Sequence, residues 1–265
     1  MPVFTDSHCH FDFPAFDEDR ADLWALCQQQ GIQRLIIPGI HPAQWKNLPT
    51  LSQHYQGIYF AAGLHPWWIA DYPQLDEKAF KQSLATQFDL SACVAIGECG
   101  LDKNIAATYE QQLKFFNWHC QLAEDLDAPV IMHCLKFHSE LLSVLKNYKI
   151  RGVVHAFSGS RELAKQYTDK GFLLGVGGVI TWPRAAKTRE AIANTPLDFL
   201  LLETDAPDMP LAGQQGQRNS PLHIPEVAAQ LAQLKGIPQQ VVAKQCERNL
   251  DRLFFKNNGQ LAGAE

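Results

Sequence analysis

Apolar residues along this chain gather into short runs, separated by longer stretches whose apolar positions recur at helical spacing. Eight of the runs read as strands: residues 3–7, RLIIPG at 34–39, IYFAAG at 58–63, CVAIGE at 93–98, PVIMH at 129–133, GVVHAF at 152–157, FLLGVGG at 172–178 and FLLLET at 199–204. Several are almost continuously apolar, as strands buried on both faces must be. The spacing predicts helices between them. Residues 18–30 place Leu23, Leu26 and Cys27 on one side and stop at Gly31, a suitable C-cap. Residues 109–126 carry Leu113, Phe116 and Leu122, residues 162–170 end at Gly171, and residues 225–234 stop near Gly236.

Repeated strand–helix alternation implies parallel strands joined by crossover helices. The glycines of GVGG at 175–178 lack dinucleotide-binding spacing, and no P-loop pattern occurs. Eight such units therefore predict an α/β fold closed into a (β/α)8 TIM barrel, and a length of 265 residues matches the usual size of that barrel. The expectation is a single barrel domain over residues 1–256, with a flexible, dispensable tail at 257–265.

The chemistry stands where the runs stop. His8 and His10 follow the first strand, Glu98 ends the fourth, His133 the fifth and His155 the sixth, and Asp205 follows the eighth. Parallel barrel strands aim their C-terminal ends at one shared site, so these ligand-type residues are expected to converge there. His8 and His10 are two apart and share a face, with Asp6 one layer deeper. An HxH pair alone is a weak signal; its place at a strand end strengthens it. Glu98 lies between Gly97 and Gly100. A carboxylate buried there requires a partner or a metal, and its two oxygens could bridge two cations. His133 and His155 could supply neutral imidazoles to a second metal. In a closed barrel the eighth strand lies beside the first, which brings Asp205 to His8 and His10. There it could bind metal while orienting or deprotonating a water. Glu203, two residues earlier, joins Asp205 as a catalytic candidate in an orienting role, or else fills a deep barrel layer. His65, in GLHPWW, and Arg218, in the polar loop after the eighth strand with Asn219, are substrate-binding candidates. Lys136, His138 and Arg184 are weaker candidates of the same kind. Cys9, Cys99 and Cys134 adjoin proposed ligands but point the other way, as filler behind the site.

Composition narrows the setting. The net charge is −5 and no long basic run occurs, which excludes coating of nucleic acid by bulk electrostatics while leaving room for a local grip on one strand. Seven scattered cysteines without a CxxC pair match neither a disulfide framework nor a zinc knuckle. No secretory signal or membrane-length apolar run is evident, so a cytoplasmic location is expected, with no membrane association. Trp67 and Trp68 could line the substrate mouth, stack bases or pack against another subunit, but the sequence indicates no stable protein partner.

The phrases SHCHFD, GLHP, IGECGLD, HAFSGS, LLLETDAP and the RN that follows resemble the TatD family of metal-dependent hydrolases, across residues 5–254. GVGG followed by ITWPRAAKTR, and ETDAPDMP, are similar to one branch of that family in particular. The resemblance implies a (β/α)8 barrel of the amidohydrolase-like superfamily with a divalent, often binuclear, metal site. Carried over by motif, it implies that His8, His10, Glu98 and Asp205 hold one metal and Glu98, His133 and His155 the other. It further implies phosphodiester hydrolysis, in the manner of a deoxyribonuclease acting on strand ends. One position departs from the pattern: relatives often carry an arginine two places after the strand-five histidine, where this chain has Leu135. Arg218 or Lys136 would have to compensate.

The resulting expectation is a hydrolase of ester bonds with two divalent metal ions, acting on nucleic acid or a small phosphoester. Imidazole and carboxylate donors suit zinc, manganese, iron or nickel, with magnesium less at home. Leu135 keeps a second expectation open, hydrolysis of the C–N bond of a small amide or cyclic amide. A third, a metal-stabilised binding protein without turnover, predicts tight metal binding and no rate above background.

Overall fold

A computed structural model describes residues 2–255 of the chain; the tail expected at 257–265 lies outside the described residues. Each apolar run becomes a strand and each strand is followed by helix. The chain runs through β1 (Phe4–Asp6), α1 (Arg20–Gln29), β2 (Ile32–Ile37), the short α2 (Pro42–Trp45) and α3 (Leu48–His54), and β3 (Ile58–Ala62). It continues with α4 (Glu77–Phe88), β4 (Cys93–Asp102), α5 (Tyr109–Asp125), β5 (Val130–Leu135), α6 (His138–Leu145) and β6 (Gly152–Val154). It closes with α7 (Arg161–Thr168), β7 (Leu173–Val176), α8 (Ala186–Asn194), β8 (Leu200–Leu202), α9 (Ile224–Lys235) and α10 (Gln239–Phe254). The helices expected at 18–30, 109–126, 162–170 and 225–234 are α1, α5, α7 and α9. The longest of them, α5, opens on a capping box in which Thr108 and Gln111 satisfy each other's backbone N–H.

All strand pairs are parallel and the order follows the sequence, β1 to β8. The two edges then meet. The Ser7 N–H donates to the Leu202 carbonyl (3.0 Å), Asp205 to His8 (2.9 Å) and His10 to Ala206 (2.8 Å). No edge is left open, and the fold is the expected (β/α)8 TIM barrel.

Alternation along the strands sorts the core into two parts. Ile36, Ala61, Ala95, Ile131, Val153, Leu173 and Leu201 cluster with one another and with the end of α10, through Leu250, Leu253 and Phe254. These residues form the barrel interior, plugged at its N-terminal mouth by α10. Their neighbours Leu35, Ile37, Phe60, Ala62, Val130, Met132, Val154, Leu174 and Leu202 join the helices in the larger outer cluster. Two residues beyond Ile131, Val153 and Leu201 stand His133, His155 and Glu203, which therefore inherit the interior direction. Beside α10, Arg34 pairs with Glu247 (2.5 Å) and Asp251 (2.6 Å), tying the plug to β2.

One strand departs from the sequence expectation. The fourth apolar run was expected to end at Glu98, yet β4 continues to Asp102. Its register against β5 shifts between Ile96 and Cys99. Ala95 is an interior residue, so strict alternation would send Glu98 outward; the shift reverses the parity and turns Glu98 in. Gly100 then lies so close to the His133 carbonyl that any side chain there would collide with β5.

The α5 helix also supports the mouth of the barrel. His119 is fully buried; its Nε2 accepts the Leu64 N–H (3.0 Å) and its Nδ1 donates to the Phe115 carbonyl (2.7 Å). Burial pushes its pKa down from 6.5 to about 4. The unfolded chain takes up that proton first, so this group's contribution is complete above pH 6.5 and is lost as pH falls towards 4. A loss on the order of 3 kcal/mol is expected over that interval. Urea unfolding between pH 7 and 4 should therefore show a shallower acid loss in His119→Gln, which keeps an acceptor for Leu64 but has no proton to gain.

Candidate metal centre

At the C-terminal mouth, five imidazoles surround one carboxylate. Glu98, almost fully buried, has Oε1 at 2.8 Å from His155 Nε2, 3.3 Å from His133 Nδ1 and 3.4 Å from His65 Nε2. Its Oε2 lies 3.2 Å from His8 Nε2 and 4.0 Å from His10 Nε2. Asp205 Oδ1 approaches the same two rings, at 3.4 Å from His8 and 3.6 Å from His10. His133 Nδ1 and His155 Nε2 are 3.1 Å apart, and the His8 and His155 rings stack at 3.9 Å. Every residue expected to ligate metal is thus in one cluster. Three groups within it have the spacing to hold an ion: His8–His10–Glu98, His8–His155–Asp205 and His65–Glu98–His133.

Local backbone chemistry sets these side chains. Asp6, fully buried on β1, accepts the His8 N–H (3.2 Å), the Thr204 N–H (3.0 Å) and the Thr204 hydroxyl (2.5 Å). It thereby latches the ends of β1 and β8 together, one layer below the donors as its parity suggested. Asp205 leaves β8 with φ of 58°, a left-handed conformation that aspartate tolerates better than most residues. Glu203 Oε1 accepts the Ala156 N–H, next to His155, and its carboxylate lies over Gly175, where a Cβ would strike it. Burial raises the Glu203 pKa to about 8.

The donors fit a cation. His8 Nε2 and Glu98 Oε2 face each other, both buried, yet neither finds a hydrogen-bond partner despite their separation of 3.2 Å. Leaving such atoms unpaired costs about 1–3 kcal/mol each, and an ion between lone pairs removes the cost. Imidazole nitrogens mixed with carboxylate oxygens are also the donor chemistry of divalent transition metals. In the absence of an ion the rings divide in their protonation. Burial, reinforced by His155, pushes His8 down to about 4 and keeps its ring neutral. Burial also opposes charge on His155, but Glu98 outweighs it and lifts that ring to about 10. Glu98 and Asp205 stay below the usual carboxylate range, because the surrounding imidazoles overcome their burial.

Two residues have larger parts than the sequence suggested. His65, expected to touch substrate from a loop, is buried within the cluster, with its Nδ1 accepting the Trp67 N–H (3.1 Å). Asp102 escaped the sequence reading altogether. Its Oδ2 lies 3.0 Å from His133 Nε2 and accepts the Trp67 indole N–H at 3.0 Å. It fixes the ring so that Nδ1 faces Glu98. The signal was present: Glu98, Gly100 and Asp102 alternate along GECGLD, but the strand was expected to stop before the pattern showed.

The outlying candidates are dispersed. Arg218 is engaged by Asp19, with its two terminal nitrogens at 2.8 and 2.5 Å from the carboxylate, and it lies over Phe16. Asn219 is fully buried and donates its amide to the carbonyls of Thr204, Asp208 and Met209. His138 meets the Tyr167 hydroxyl (2.9 Å), while Lys136 and Arg184 are exposed. All seven cysteines are free; Cys9 and Cys99 are buried in the outer core, as filler should be. No helix among the described residues is long and apolar enough to cross a membrane.

A TIM barrel with this donor cluster at its C-terminal mouth defines a metal-dependent hydrolase. The family model of TatD related DNases matches residues 5–255, and the chain belongs to the TatD family. It is 39% identical to the uncharacterized metal-dependent hydrolase YjjV of Escherichia coli, over 95% of this chain and 97% of that one. The crystal structure of YjjV superposes with a TM-score of 0.88, covering 95% of this chain and 98% of that chain. The 3'-5' ssDNA/RNA exonuclease TatD of Escherichia coli is 32% identical over 90% of this chain and 94% of its own.

Removing the charge that orients His133 should weaken metal binding without disturbing the barrel. Asp102→Asn is expected to lower manganese or zinc affinity about 10–100-fold, read by calorimetric titration of metal-stripped protein. Unchanged affinity would show that His133 needs no such support.

Proposed function

We propose that the protein is a phosphodiesterase of the TatD deoxyribonuclease type that uses two divalent ions, manganese or zinc suiting the donors best. The observation that carries the reading is Glu98. Its two oxygens face different histidine sets, His155, His133 and His65 on one side and His8 and His10 on the other. His8, His10, Glu98 and Asp205 would hold one ion, and Glu98, His133 and His155 the other, with His65 beside them. When bound, such ions polarise a phosphoryl oxygen and make water a nucleophile at neutral pH.

The residues supply position and proton transfer. Asp205 is ionised and accepts the proton of the attacking water at its carboxylate. Its neighbours His8 and His10 keep it aimed into the mouth. Glu203 is a positioning residue, holding the turn after His155 through the Ala156 N–H. Cleavage of single-stranded DNA or RNA is the activity to expect, supported by the 32% identity to the exonuclease TatD.

The test is hydrolysis of single-stranded DNA by metal-stripped protein restored with manganese, magnesium or zinc. Cleavage should require metal, and Asp205→Asn should lower kcat by at least about 100-fold at unchanged melting temperature. Full activity in Asp205→Asn would remove that residue from the mechanism. A second reading, hydrolysis of a small or cyclic amide, draws support from Leu135, an exposed apolar side chain at the end of β5 where relatives often place arginine. Cyclic amides run beside DNA in the same assay separate the two.

A further inference from the structure

The segment ITWPRAAKTR, after β7, takes no part in the chemistry above, yet it is built with care. Its first two residues complete a short 3-10 turn, Gly178–Thr181. Thr181 Oγ1 donates to the Gly178 carbonyl (2.6 Å) and accepts the Ala212 N–H (2.9 Å). The Trp182 indole N–H donates to the Pro210 carbonyl (3.2 Å). These bonds clamp the loop after β7 to the loop after β8, on the same end of the barrel as the donor cluster.

Between the clamped loops lies a cavity of about 390 Å³, lined by Val179, Trp182, Arg184, Met209, Pro210 and Gln215 among others. Val179 and Met209 also line the pocket that contains Glu203 and Asp205, so the two spaces are adjacent. No acidic side chain lines the cavity. The Arg184 guanidinium stacks on Trp182, its carbon 4.1 Å from the ring. Arg218 is paired with Asp19, Arg34 with Glu247 and Arg151 with Asp127. Arg184 has no such carboxylate among the described residues. A guanidinium held over an indole face with no carboxylate partner retains N–H donors, which match two oxygens of a phosphate.

We infer that this cavity is a subsite for a second phosphate of the substrate, next to the phosphate at the donor cluster, with Arg184 as its contact and Trp182 as a positioning residue. The inference rests on the phosphodiesterase reading and deepens it. It selects substrates with at least two phosphates over simple monophosphoesters, and it gives the chain an arginine from the loop after β7 where β5 offers only Leu135.

The experiment compares thymidine 3',5'-bisphosphate with thymidine 5'-monophosphate, each titrated calorimetrically into metal-loaded protein. Wild type should bind the bisphosphate about tenfold more tightly. Arg184→Ala should abolish that preference while leaving monophosphate affinity unchanged. Trp182→Ala should reduce it and Trp182→Phe, which keeps an aromatic face, should restore it; a merely structural tryptophan would lower the melting temperature without this rescue. Equal affinities in wild type, or a preference that survives Arg184→Ala, would overturn the subsite. Oligonucleotide cleavage is read in parallel. A preference without any cleavage would leave the subsite standing and remove the phosphodiesterase reading. Cleavage without a preference would do the opposite.

Discussion

A carboxylate withdrawn from water must be compensated where it sits, and Glu98 is withdrawn almost completely. Its compensation comes from five histidines on four different strand ends, so no local segment can provide it. The barrel must close, and close in one register, before the anion becomes tolerable. Much of the surrounding architecture serves that need. The Asp6–Thr204 latch holds the first and last strands together under the donors. The close approach of Gly100 to the His133 carbonyl brings β4 against β5. Asp102 then fixes the His133 ring from behind.

The same construction separates stability from specificity. The N-terminal mouth is sealed by α10, whose Leu250, Leu253 and Phe254 fill the interior while Arg34 anchors the helix through Glu247. The C-terminal mouth carries the polar donors, and the loops above it are tied to one another rather than to the core. Trp67 illustrates the arrangement. It is 63% exposed, yet its indole N–H reaches Asp102, so a residue at the solvent boundary shares a carboxylate with a ring of the donor cluster. Loops held this way can change what is bound without moving what reacts.

Much of this was legible in the chain. Apolar runs recurring with helices between them specify eight parallel strands, because only strands buried on both faces need continuous aliphatic residues. The convergence of His8, His10, His133, His155 and Asp205 follows from placing polar ligands where those runs end. Their even spacing from interior residues explains why the reading worked. It failed where spacing misleads. Asp102 lay past the point where β4 was expected to stop, and Arg218 and Asn219, polar and glycine-flanked, are committed to Asp19 and to backbone carbonyls.

The sequence by itself therefore determined the repeating unit, the barrel and most of the polar residues that meet at its mouth, since each depends on local periodicity. Only the tertiary structure decided the direction of Glu98. A shift of register against β5 reverses its parity, and register is a property of two strands that no single strand encodes. The tertiary structure also decided which polar side chains are paired: Arg218 and Arg184 look alike along the chain, but one faces Asp19 and the other lines a cavity between the loops after β7 and β8. Partners of that kind are chosen by packing between distant loops, and periodicity carries no record of them.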